Sequence, residues 1–153
     1  MKQDPFGNLK EWGAVLDLLS QLDQKGVLGE CQRGMIRILR YKENWRLREE
    51  VLKRSATLEN PSQNLVQQIM AMIVDETIYY EARVLALHAL ARLAAEGRIP
   101  SATAGRMGWT LALQRLLAAH QPPLLANALA DCLVYLDESS QGRPREDACR
   151  QAV

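Results

Sequence analysis

"NWRLREEVLKRSATL", residues 44–58, returns in altered form as "YYEARVLALHALARL", residues 79–93. Setting Leu58 against Leu93 places Arg48 on Arg83, Val51 on Ala86, Leu52 on Leu87 and Trp45 on Tyr80, all at an offset of 35. In the other direction a shift of 36 puts Leu22 on Leu58, Leu16 on Leu52 and Val15 on Val51, and a shift of 43 puts Leu136 on Leu93. Within each copy the apolar residues stand three and four apart, the spacing of one face of an α-helix. A second helix fits between successive copies. The repeating unit is therefore a helix pair of roughly 35 to 43 residues, the period range of helical solenoids.

The rest of the chain reads the same way. Spacing predicts helices over residues 9–24, 31–41, 45–58 and 79–96, the last about 27 Å long. A further helix starts after Ser62 and carries Leu65, Val66, Ile69, Met70 and Ile73; another runs from Pro100 and Ser101 to about Ala119, and a last one from Pro122 and Pro123 to about Glu138. Asn8 followed by Glu11 has the form of a capping box, and Gly26 and Gly97 stand where helices stop. No segment alternates with period two long enough to be a strand. The expected fold is an all-α solenoid of antiparallel helix pairs, about seven helices in one domain over residues 1–138. Periodicity ends there, and residues 139–153, rich in Gly, Pro, Ser and mixed charge, are expected to form a flexible tail.

The stretch "ARVLALHALARLAA", residues 82–95, has only Arg83 and Arg92 as charged residues, nine positions apart and so on opposite sides of a helix. A helix without a polar face is a sandwiched one, as a middle repeat should be. Arg83, and Arg48 at the equivalent place, are expected to be structural, with Arg83 paired to Asp75 or Glu76.

These residues resemble the first helix of HEAT repeats, in the short bacterial type with an aromatic or apolar residue, then an arginine, then small and leucine-like residues. Trp45, Arg48, Val51, Leu52 and Leu58 match in one unit, and Tyr80, Arg83, Ala86, Leu87 and Leu93 in the next. The likeness is good for two units and weak for the flanking two. No proline kinks a first helix, and the Asp and Arg ladder of the longer form is not evident. The alternative is an irregular helical bundle. The resemblance implies a HEAT/armadillo-like solenoid acting as a protein–protein interaction scaffold.

Composition narrows the function classes. At 153 residues a compact fold buries roughly 70% of its unfolded surface, enough to stand without staples. Basic and acidic residues number 19 and 18, so no global field draws the chain to nucleic acid or anionic lipid. Cys31, Cys132 and Cys149 are odd in number and far apart, which fits buried, reduced thiols and a cytoplasmic setting. The opening "MKQDPFGNLKE" has no apolar signal region, and the longest apolar run, "IMAMIV", is far short of the ~20 residues that span a bilayer. No membrane partner is expected.

Catalytic chemistry finds little to work with. His88 and His120 are isolated from each other and from cysteine, with neither zinc nor di-iron spacing, so no metal or cofactor is expected. His88 reads as a core or groove residue with one hydrogen bond. No nucleophile elbow or phosphate-binding glycine loop occurs. "GRMGW", residues 105–109, reads as glycines that allow close helix approach, and Asp75, Glu76 and Glu81 gain no third group that would make them an acid–base pair.

One feature stands out. Between Cys31 and Arg54, eight basic residues face three acidic ones. Arg33, Arg37 and Arg40 stand at i, i+4 and i+7, a stripe about 60° wide, with Tyr41 and Trp45 next to it in sequence. Arg, Trp and Tyr are enriched in binding hot spots, and guanidinium groups hold carboxylates with two hydrogen bonds. The plain reading is a solvated face; the functional one is a surface for an acidic protein segment. Nucleic-acid binding and service as an accessory subunit of an enzyme are the rival readings. The acidic residues Glu59, Asp75, Glu76 and Glu81, in a stretch without a basic residue, also permit self-association.

Overall fold

A computed structural model describes residues 3–100, 103 and 106–140. Among them the chain is all-helical: α1 Trp12–Gln24, α2 Gln32–Leu39, α3 Trp45–Ser55, α4 Gln63–Val74, α5 Tyr80–Ala95, α6 Arg106–Ala118 and α7 Pro123–Ser140, with a single 3-10 turn, Leu28–Cys31, before α2. The odd-numbered helices touch in succession, α1 on α3, α3 on α5 and α5 on α7. The even-numbered ones do likewise, α2 on α4 and α4 on α6. Contacts of α2 with α3, α4 with α5 and α6 with α7 join the two sets.

Local chemistry explains most helix ends. Asn44 accepts a hydrogen bond from the Leu47 N–H (3.3 Å) and Ser62 from the Leu65 N–H (3.2 Å), so α3 and α4 start at true side-chain caps. α1 and α5 end alike. Gly26 and Gly97 adopt positive φ (72° and 68°), their N–H groups donate to Asp23 and Ala94, and the following N–H groups of Val27 and Arg98 donate to Leu22 and Leu93. That pair of bonds is the Schellman arrangement, which needs a left-handed residue and thus favours glycine.

Several boundaries differ from the periodicity. α1 starts at Trp12, not near residue 9, because the Asn8 side chain takes the Lys10 N–H (3.0 Å) and Glu11 makes no side-chain cap; Asn8 to Glu11 is a turn rather than a capping box. α3 stops at Ser55 instead of Leu58, where Thr57 turns its hydroxyl onto Arg54 O and Arg98 binds the carbonyls of Thr57 and Leu58. α6 begins at Arg106, and α7 reaches Ser140, two residues into the segment expected as a tail. Residues 141–153 of that segment, with Cys149, lie outside the described residues, as does Gly105.

The core runs through every helix, and α5 is its centre. Leu87, Leu90 and Leu93 are fully buried where α5 meets α3, α4 and α7. The helix is not apolar all round, however. Glu81, His88 and Arg92 are exposed and Leu85 half-buried, a line one residue wide at i, i+4, i+7 and i+11. His88 is therefore a surface residue and not a core or groove one. Gly108 also departs from expectation: it is exposed, and a Cβ there meets nothing within 4 Å, so no close helix approach requires it. Gly108→Ala should raise stability by about 0.5 kcal/mol, read from the urea midpoint at unchanged m-value.

Candidate functional site

Arg48 and Arg83, equivalent in the repeat, do equivalent work. Arg48 Nε donates to the carbonyl of Leu39, the last residue of α2, at 2.9 Å; Arg83 Nε donates to the carbonyl of Ile73, next to the end of α4, also at 2.9 Å. Each arginine thus satisfies a carbonyl that its helix leaves without an internal partner. The pairing of Arg83 with a carboxylate is not what forms. Asp75 is turned onto the N–H and hydroxyl of Thr77 (2.9 and 2.6 Å), and with Glu76 it acts on Arg83 only through its field. Burial lowers the pKa of both guanidinium groups.

The stripe predicted on α2 exists, and the structure brings its three arginines to one place. A recess of about 770 Å³ between α2 and α4 is lined by Arg33, Ile36, Arg37 and Arg40 on one side, by Asn64, Gln67, Gln68 and Ala71 on the other, and by Asp4, whose carboxylate Arg37 holds. A second, of about 700 Å³, continues it past Arg33, Ile36 and Asn64 to Gln32, Ser62, Gln3 and Glu30. The two form one polar groove along α2 and α4. Its walls offer the guanidinium groups of Arg33 and Arg40 for carboxylates, while the Gln32 carboxamide is engaged with Gly29, Asn60 and Ser62.

The three arginines are not alike. Arg33 is exposed, and among the described residues it has no ion-pair partner. Arg40 is exposed and its Nε donates to Gln68 Oε1 at 2.8 Å, which spans the groove without neutralising the charge. Arg37 is engaged: its Nε and Nη2 grip Asp4 at 2.6 and 2.9 Å, and Nη2 also donates to Gly7 O at 2.9 Å. Asp4 belongs to a strap without regular secondary structure, Gln3 to Gly7, that lies against α2. Gln3 O accepts the N–H of Gly34 (3.1 Å), and Phe6 is buried directly over that glycine. A Cβ on Gly34 would lie 2.5 Å from the Phe6 ring and 2.8 Å from Asp4 Oδ1, so only glycine lets the strap lie down.

The strap is held lightly. Burying Phe6 contributes about 2 kcal/mol and the hydrogen bonds with the half-exposed ion pair about 3, while ordering the backbone from Gln3 to Gly7 costs about 5 at roughly 1 per residue. The sides nearly cancel. Asp4 is held below its usual 3.8 chiefly by the Arg37 hydrogen bond, against burial and with help from the Phe6 N–H and Arg33. Since the folded value is the lower one, its contribution is complete above about pH 4 and disappears as pH falls through that lowered value. Asp4→Asn should therefore lower stability near pH 7 by less than about 1 kcal/mol and leave it unchanged near pH 2, measured by urea unfolding at both.

The aromatic neighbours separate. Tyr41 lines a shallow recess with Arg37 and Arg40, its hydroxyl donating to Glu43 (3.0 Å). Trp45, 54% exposed, lies edge-on to Tyr79 with ring centroids 5.6 Å apart and lines neither recess of the groove. Of the remaining basic residues nearby, Arg54 is spent on Asp23 and Glu50.

Among the described residues no three His, Cys, Asp or Glu side chains gather as a metal site. Cys31 and Cys132 are buried, and burial pushes the Cys132 thiol up to about 12. Asp75 has its pKa lowered by Thr77, the opposite of what a general acid needs. No described helix is long and apolar enough to cross a membrane. Compared with known proteins, the chain matches no family model, no curated protein and no solved structure.

Proposed function

We propose that the chain is a HEAT-like α-solenoid that works without catalysis in the cytoplasm as an interaction module, binding an extended acidic segment of a protein partner in the α2–α4 groove. The order of helix contacts supports the solenoid: two successions of helices, odd and even, laid side by side. The arginine-to-carbonyl bond repeated at Arg48 and Arg83 supports the helix pair as the unit. The observation that carries the binding reading is the groove itself, where Arg33 and Arg40 have no carboxylate partner among the described residues and stand opposite Asn64 and Gln68. Two carboxylates on one strand meet the two guanidinium groups, and carboxamides suit a backbone that has no partner strand.

The test is fluorescence anisotropy with a labelled Glu-rich peptide and a labelled single-stranded oligonucleotide of equal charge. The peptide should bind, and Arg33→Glu with Arg40→Glu should weaken it about 100-fold, each reversal replacing an attraction by a repulsion. Preference for the oligonucleotide, with a steep loss of affinity in salt, would move the assignment to nucleic acid.

A further inference from the structure

The strap supplies the one ligand whose seating on α2 is visible. It places a carboxylate on the central arginine of the row, and two residues later it places an aromatic ring over Gly34. We propose that Gln3–Gly7 is an internal stand-in for the partner: the partner's segment carries an acidic residue followed two positions on by an aromatic one, and it binds by displacing the strap. This rests on the reading of the groove as a site for an acidic protein segment, and adds to it the sequence pattern of the partner and a built-in competitor.

Three observations support displacement rather than permanent attachment. The strap's attachments are few: one backbone bond to Gly34, the Arg37 clamp and the Phe6 ring. Its far side ends at Gly7, whose φ of 63° supplies a bend before Leu9 anchors the chain in the core. Finally, the Asp4 carboxylate lines the same recess as Arg33 and Arg40, so an acidic partner there meets a negative charge that displacing the strap removes. An occupant tethered in place competes at high effective concentration, so weakening it raises the partner's apparent affinity.

Phe6 is the only phenylalanine of the chain, which makes the strap directly observable. The full chain is prepared with 4-fluorophenylalanine and its single fluorine resonance followed while two peptides are added: one with the strap's own order, Gln-Asp-Pro-Phe-Gly-Asn, and a Glu-rich one. The expected result is that the first peptide binds, moves the resonance from its buried to its solvent position, and loses about tenfold in affinity when its Asp is made Asn. Gly34→Ala in the protein, which adds no charge, should by itself move the resonance to the solvent position and tighten the Glu-rich peptide several-fold.

If the Glu-rich peptide binds while the resonance stays buried and Gly34→Ala leaves affinity unchanged, the strap is plain structure and the inference falls, with the groove reading intact. If neither peptide binds wild type or Gly34→Ala, both fall. Dimers of the chain alone that dissolve on adding the strap peptide would make a second copy the occupant, which overturns a separate partner.

Discussion

Leu87→Ala lowers the stability of the chain by about 4 kcal/mol, a fall in Tm on the order of 10 °C. Leu87 is fully buried in the helix that three others surround, and none of these neighbours can collapse into the gap without losing its own contacts. Leu85→Ala, two positions away on the half-exposed line, should cost less than about 1 kcal/mol. Urea unfolding of both variants checks the pair. Equal losses at the two positions would mean that α5 is not the enclosed centre described above.

Arg83→Ala should cost about 3 kcal/mol and Arg48→Ala about 1, although the two arginines make the same bond at the same length. The difference lies in the surroundings. Arg83 is 6% exposed, so removing it leaves the Ile73 carbonyl buried without a partner and a cavity where the side-chain stem lay. Arg48 is only half-buried, and water can reach the Leu39 carbonyl in its absence. Arg83→Met separates the two losses, because it keeps most of the stem and still orphans the carbonyl. It also removes a cation whose Nη2 is buried without a hydrogen-bond partner, so its cost should be less than half that of alanine. Chemical denaturation at neutral pH measures all three.

The helices were legible because they live in apolar spacing, and spacing is what packing selects. Setting Arg48 on Arg83 was enough to mark two arginines with one job. The acceptor was not legible: a helix-end carbonyl leaves no side chain in the sequence, whereas Asp75 and Glu76 were conspicuous and turned out to be occupied by Thr77 or to act only at a distance. Residues 82–95 alone show no polar face on α5; Glu81, one position earlier, completes the exposed line through His88 and Arg92.

The basic stripe was legible for the same reason as the core, being a helical spacing of one residue type. Its neutralisation at Arg37 was not, since Asp4 is 33 residues away and its segment has no period. One signal was present: Gly34 in the first turn of α2 costs helix propensity and so asks for something lying close against it. Trp45 was placed beside the stripe by sequence proximity alone, but the turn between α2 and α3 carries it away from the groove to Tyr79.

The most direct test of the groove is to follow the backbone and side-chain amide resonances of the isotopically labelled chain while an acidic, aromatic-containing peptide is added. The largest shifts should fall on Arg33 and Ile36 of α2, on Arg40 at its C-terminal cap and on the carboxamides of Asn64 and Gln68 of α4, with α6 and α7 unchanged. Shifts centred on Trp45, Tyr79 and Tyr80 instead, with α2 and α4 silent, would contradict the groove as the binding site.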